Sequence, residues 1–363
     1  MGTSGHLTND VLFAIKHLSE WFPIGKFIGI GRKLGGSYNL NIKVETSKGE
    51  FVVRILNRSN TEEHLHYIQK AFAILNEEGV PVLNPILTSS GDFFIRYKEK
   101  LLQVTPFVRG EVFQCRPNQV YASARMLNAF HRSLQHTGSG PEPSWSFYRP
   151  IHYYEDAMDR LKKMPDIPKH ELNKAEQRAE KILDTWKKTE NDLPTAIIHG
   201  DWHFWNQLYK GDEICSVMDF DFIQQGKRVH DIAYSLWAIY ILLPEHSRTF
   251  DQIFIKGYPN LTDEEVKILP VAIAKVGLFF LFQAAYSSRP AEKWYKQFRR
   301  QLPLIDWLLS DGEQRMYELV HGKKEEPELE DEKDNGSELI ASPLSESPID
   351  SSENKSGTDS EVL

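Results

Sequence analysis

One stretch of the chain, Ile197-Ile198-His199-Gly200-Asp201-Trp202-His203-Phe204-Trp205-Asn206, is followed closely by Val217-Met218-Asp219-Phe220-Asp221. Asp201 is a carboxylate able to orient a hydroxyl and take its proton, and Asn206 and Asp219 offer the oxygen donors that a hard divalent cation prefers. A base beside such a cation site is what transfer of a phosphoryl group from ATP requires, because that reaction is governed by positioning and charge neutralisation. An ordinary polar turn would account for the residue types alone. The five-residue step from Asp201 to Asn206 and the thirteen-residue step to Asp219 argue against it.

Protein kinases carry H-R-D-x-x-x-x-N and then D-F-G, with the same five-residue step. Here Gly200 stands in place of that Arg and Asp221 in place of that Gly, and no A-P-E follows, so a protein kinase is disfavoured. His203 and His230 read as structural histidines.

Other elements must bring these residues together. Leu40 to Glu45 alternates apolar and polar residues, Ser47-Lys48-Gly49-Glu50 supplies turn residues, and Phe51 to Leu56 resumes as a strand; this is a hairpin signature with Arg54 on the second strand. Leu65, Ile68, Phe72 and Leu75 form one helical stripe that ends near Gly79 and Pro81. Phe93 to Tyr97 and Leu101 to Phe107 read as two further strands. Beyond them the pattern is mainly helical: Val120, Ala124, Leu127 and Leu134 share a face, as do Ala175, Ala179, Ile182 and Trp186, and Thr262-Asp263-Glu264-Glu265 is a capping box.

The motif H-G-D-x4-N-x12-D-x-D, with Asp231-Ile232-Ala233 downstream, resembles the aminoglycoside phosphotransferase, choline kinase and type II homoserine kinase superfamily. The likeness runs from about Gly31 to Leu308. It implies an α+β, bilobal, protein-kinase-like fold with a small β-rich N-lobe and a larger, mainly helical C-lobe. The corresponding expectation is an N-terminal helical segment over 1–30, a nucleotide-binding N-lobe over 31–107, a catalytic and acceptor-binding C-lobe over 108–321, and a disordered acidic tail over 322–363.

Carried over position by position, the resemblance makes Asp201 the catalytic base and Asn206 and Asp219 the Mg²⁺ ligands. His199 holds the loop, and Asp231 braces it from the next helix. Gly35, Gly36, Ser37 and Asn39 fall where the family places its nucleotide loop, and glycines there let backbone N–H groups approach phosphates. The phosphate-facing Lys of the family is Arg54 here, which keeps the charge with a different geometry. Glu63 is the candidate helix partner for it. Leu102 to Phe107, with Gln103 and Thr105, is the expected adenine hinge, with Ile42 and Val53 near the base. The cofactors implied are ATP and Mg²⁺, and the partner is a small-molecule hydroxyl acceptor such as an amino alcohol, an aminoglycoside or homoserine.

Two readings of the acceptor side stay open. Trp202, Phe204, Trp205, Trp237 and Tyr240 form either a cage for a cationic amine or plain core, and Asp221 or Glu155 either binds an amine or does not. A second functional class is a catalytically weak or inactive kinase-like protein with a structural role, as in spore-coat-associated relatives.

Composition narrows the field. From Gly322 onward the chain holds 13 acidic and 4 basic side chains, which leaves the rest of its 363 residues nearly neutral. A neutral body offers no basic footprint for a nucleic-acid backbone. Two cysteines far apart, Cys115 and Cys215, indicate neither a disulfide framework nor a thiolate metal site and suit a reducing compartment. The polar N-terminus does not read as a signal peptide, and Val271 to Ala285, interrupted by Lys275 and Gln283, reads as a buried helix rather than a membrane span. The expected location is the cytoplasm.

Overall fold

The computed structural model describes residues 8–34, 39–56 and 61–322. Gly35, Gly36 and Ser37 and the acidic tail beyond Gly322 lie outside the described residues.

The chain opens with α1 (Asn9–Lys16), capped by the Thr8 side chain, which accepts from the Val11 amide. A five-stranded antiparallel sheet follows: β1 (Phe27–Leu34), β2 (Leu40–Thr46), β3 (Gly49–Ile55) and, after α2 (Glu62–Glu77), β4 (Ile95–Tyr97) and β5 (Lys100–Pro106), in the order β1-β2-β3-β5-β4. β1 starts at Phe27, so the sheet crosses residue 30, where the helical segment was expected to end. Its alternation is weak, with no fully buried position, and so left no readable pattern in the sequence.

The period of two on β2, β3 and β5 sorts side chains cleanly between two faces. Ile42, Val44, Val53, Ile55, Leu102 and Val104 form one core with Val11, Ala14, Ile15, Leu18, Phe22 and Ile24 of the N-terminal segment. Ile42 and Val53 therefore pack beneath α1 rather than toward a nucleotide, which corrects that expectation. Arg54 pairs across the ladder with Gln103, and Val52 with Thr105, so these four share the opposite face.

α2 belongs to a different core. Its stripe, Leu65, Ile68, Ala71, Phe72 and Leu75, is buried with the helices that follow, and the Phe72 ring meets Phe220 edge-on at 4.7 Å. Thus the sheet is roofed by α1 on one side, while α2 is anchored in the helical body.

That body contains α3 (Pro117–Ser133), α4 (Ile151–Lys162), α5 (Lys169–Thr189), the strands β6 (Thr195–Ile198), β7 (Gln207–Lys210), β8 (Glu213–Val217) and β9 (Gln224–Lys227), then α6 (Val229–Leu242), α7 (Ser247–Gly257), α8 (Asp263–Phe282), α9 (Pro290–Ser310) and α10 (Gly312–His321). α8 starts from the expected capping box: Thr262 accepts from the Glu265 amide, and Glu265 reaches back to the Thr262 amide. The apolar segment from Asp263 to Tyr286 is long enough to cross a membrane, yet 89% of its apolar window is buried inside the fold, so it is the central helix of the core.

Candidate active site

Two short ladders build the site. β6 pairs antiparallel with β9 through Ile198 and Gln224, and β7 pairs with β8 through Gln207 and Val217. The loop joining β6 to β7 (199–206) and the segment joining β8 to β9 (218–223) must therefore lie side by side. A backbone hydrogen bond from the Met218 amide to the Asn206 carbonyl, 2.9 Å, fixes their register.

The first loop is held from below. Asp231, fully buried on α6, accepts the amides of His199 at 2.8 Å and Gly200 at 2.9 Å. His131 of α3 donates to it from Nε2 at 3.0 Å, and the Tyr258 hydroxyl meets His131 Nδ1 at 2.9 Å. Burial opposes the Asp231 charge, but the hydrogen bond from His131 leads the interactions that hold the carboxyl below the usual range. Gly200 has φ of +81°, and a Cβ there would sit 2.7 Å from the Phe222 carbonyl oxygen. Only glycine fits. His199 donates from Nε2 to the Met218 carbonyl at 3.0 Å and receives the Asp201 amide on Nδ1. It ties the two loops together.

Asp201 and Asn206 meet directly. Asn206 Nδ2 donates to Asp201 Oδ2 at 2.9 Å and to the Asp201 carbonyl, which turns its amide oxygen away from the base. Burial, and then the charge of Asp219, push the Asp201 carboxyl well above the usual carboxylate range, while Tyr234 and Asn206 pull the other way. His203 Nε2 stands 3.6 Å from Asp201 Oδ1, and burial pushes the His203 imidazole down to about 3, so it is neutral. His230 is likewise neutral, pushed down to about 4 by burial.

Asp219 adopts a left-handed conformation with φ of +63°, unusual for a residue with a side chain. Desolvation and the neighbouring Asp221 push its carboxyl up to about 6, opposed by Arg54. Arg54 Nη2 lies 3.0 Å from Asp219 Oδ1 and 2.7 Å from Asp221 Oδ1. Asn39 Nδ2 takes the other Asp221 oxygen.

Several expectations change here. Glu63 is exposed and does not reach Arg54, and Glu62 pairs with Arg96 instead. α2 delivers His64, whose Nε2 meets the Asp221 carbonyl at 3.1 Å. Asp221 is committed to Arg54 and Asn39 rather than to an amine. Trp202 and Trp237 are buried and donate to Ser123 and Gln301, Phe204 is fully buried, and Tyr240 donates to Asp251. Trp202, Phe204 and Trp237 are thus core, while Trp205 and Tyr240 are half-buried against it. His131 and His64 were missed, although His131 continues the Leu127 stripe of α3 at a helical spacing, where a polar residue in an apolar row marks a buried partner.

Residues 32–264 match the profile of the Phosphotransferase enzyme family. The chain belongs to that family. It is a small-molecule phosphotransferase, a kinase with a hydroxyl acceptor. The homoserine kinase of Zymomonas mobilis subsp. mobilis is 25% identical over 272 residues, covering 72% of this chain and 82% of that protein. The homoserine kinase of Rhodopseudomonas palustris strain BisB18 is 26% identical over 279 residues, with 74% and 83% covered. Among solved structures, a microcompartment-associated aminopropanol kinase is 16% identical with a TM-score of 0.65, over 84% of this chain and 99% of that one. An amicoumacin kinase in complex with AMP-PNP, Ca²⁺ and Ami is 17% identical with a TM-score of 0.63, over 82% and 93%. At these identities the structural likeness speaks for the fold, which is bilobal and protein-kinase-like, with a β-rich N-terminal part and a helical C-terminal part.

Proposed function

We propose that this phosphotransferase moves the γ-phosphate of ATP, with Mg²⁺, to the hydroxyl of a small amino alcohol or hydroxy amino acid. The observation that carries this reading is the pairing of Asn206 with Asp201 on one loop and, on the loop beside it, of Asp219 with Arg54 from the sheet. Asp201 is the base: its carboxylate orients the acceptor hydroxyl and takes its proton as the oxygen attacks the γ-phosphorus, whose bond to the bridging β-phosphate oxygen breaks to release ADP. The homoserine kinases and the aminopropanol kinase named above support a short acceptor carrying both an amine and a hydroxyl.

Among the described residues no group of three or more His, Cys, Asp and Glu forms a metal cage. Mg²⁺ bound with a nucleotide needs none, since phosphates and water complete its shell around one or two protein oxygens. The Asn206 amide oxygen and the Asp219 carboxylate, which is 35% exposed beside Arg54, suit that role. Bound there, the metal neutralises charge on the transferring phosphates. Arg54 supplies a second, fixed positive charge, and Gln103 and Thr105 share its face of the sheet. Gly35, Gly36 and Ser37 remain our assignment for the phosphate loop, with Asn39 acting next to it through Asp221. A cytoplasmic enzyme acting without nucleic acid or membrane is the setting this reading requires. The comparisons lend no support to a purely structural role.

The test is transfer of label from [γ-³²P]ATP to a panel of homoserine, aminopropanol, choline and aminoglycosides, with and without Mg²⁺. A Mg²⁺-dependent labelled product from an amino alcohol or hydroxy amino acid is the expected result. Label on none of them, or label equal without divalent metal, overturns the reading.

A further inference from the structure

Arg54 has two carboxylate partners, and the proposed chemistry needs one of them for something else. Its Nη2 contacts both Asp219 at 3.0 Å and Asp221 at 2.7 Å. If Asp219 serves a cation, Arg54 is left with Asp221. No acidic side chain of α2 replaces it: Glu62 is engaged with Arg96, and Glu63, Glu77 and Glu78 are exposed.

Asp221 is built to stay. Its side chain is 4% exposed, against 35% for Asp219. One oxygen faces Arg54 and the other receives Asn39 Nδ2. Its backbone carbonyl meets His64 Nε2, and His64 Nδ1 in turn meets the Pro141 carbonyl at 3.1 Å. These contacts come from β3, from the entry to β2, from α2 and from the loop before α4. Arg54 and Asn39 join the sheet to the helical body at the Asp221 carboxylate, while His64 holds its backbone within that body.

We propose that Asp221 is the positioning residue for Arg54: it keeps the guanidinium aimed at the bound triphosphate while Asp219 is occupied, and through Arg54 and Asn39 it clasps the sheet to the catalytic body. This rests on the ATP-dependent reading above. Asp221 acts through Arg54 and touches neither acceptor nor metal. A buried charge-assisted pair of this kind fixes geometry as well as charge. Its loss falls on nucleotide affinity rather than on the acceptor.

The experiment compares wild type, Asp221→Asn, Arg54→Met and the double variant by calorimetric titration with AMP-PNP and Mg²⁺, alongside KM values for ATP and for the best acceptor. Asp221→Asn is expected to weaken AMP-PNP binding about tenfold or more, in line with a lost charge-assisted contact, to raise KM for ATP, and to leave the acceptor KM unchanged. In the Arg54→Met background, removing the Asp221 charge is expected to add nothing. Should Asp221→Asn alone not fold, the double variant, which removes both charges, still carries the comparison with Arg54→Met. Full additivity, or a changed acceptor KM with unchanged nucleotide affinity, overturns the positioning role. Wild-type binding with Asp221→Asn equal to it sinks this proposal alone. A wild-type protein that binds no nucleotide sinks the functional reading and this proposal with it.

Discussion

Replacing Asp231 with asparagine removes the brace under the catalytic loop while keeping the side chain's size. In the native protein one carboxylate oxygen accepts from the His199 amide and from His131 Nε2, and the other accepts from the Gly200 amide. An asparagine has a single acceptor oxygen, so whichever way it turns, its own NH₂ faces a buried N–H donor. Each buried donor left without an acceptor costs about 1–3 kcal/mol. At least one is orphaned, and the charge that pairs with His131 is lost, so Asp231→Asn is expected to lower stability by about 2–4 kcal/mol. Asp231→Ala, which strands all three donors, should cost more. The assay is urea denaturation, comparing midpoints at constant slope. Because His131 shares the network, the loss in a His131→Ala background should be smaller than in wild type by about 1 kcal/mol or more. A variant within about 0.5 kcal/mol of wild type, the usual range for a surface substitution, would show that Asp231 does not brace the loop.

Further outcomes can be checked on the same protein. His230 and His203 are neutral in the fold, at about 4 and about 3, but titrate near 6.5 once unfolded, so unfolding takes up protons between those values. Stability from these groups is complete above the unfolded value and falls by about 1.4 kcal/mol per pH unit per histidine as pH drops below it; urea midpoints that stay flat from pH 7 to pH 5 would contradict this. Glu265 is fully buried and grips Arg228 at 2.6 and 2.7 Å while completing the α8 cap. Glu265→Ala is expected to destabilise by about 3–5 kcal/mol, read as a lower denaturation midpoint, and an unchanged midpoint would refute that role. Trp237 stacks on Phe280 at 4.1 Å and donates to Gln301. Trp237→Ala should cost about 3–5 kcal/mol while leaving relative rates across amine acceptors unchanged; an altered acceptor preference would revive an aromatic cage.

What could be read without coordinates followed the local rules. The hairpin is legible in the strict alternation of Leu40 to Glu45 and the β-branched run after the turn at Ser47 and Lys48, and β2 and β3 end and begin on either side of those two residues. The α8 cap was legible because Thr262 and Glu265 are both required at a fixed separation. The catalytic loop was legible because Asp201, Asn206 and Asp219 fall in the segments that join two short ladders, which keeps their separations in sequence short. Side-chain pairing between distant segments was not legible: Asp221 meets Asn39 across 182 positions and His64 across 157. Periodicity says which face a residue occupies and not what faces it. That is why Ile42 and Val53, correctly read as strand residues, were assigned to the nucleotide rather than to α1. It is also why the sequence leaves Trp202 and Trp237 ambiguous, whereas the structure pairs them with Ser123 and Gln301.

The central claim is that Asp201 takes the acceptor's proton during phosphoryl transfer, and one comparison tests it most directly. Asp201→Asn keeps the contact to Asn206 possible but removes the base, so kcat with the best acceptor should fall by about 10²–10⁴-fold. AMP-PNP affinity should stay near that of wild type. Turnover equal to wild type by the asparagine variant would contradict the account.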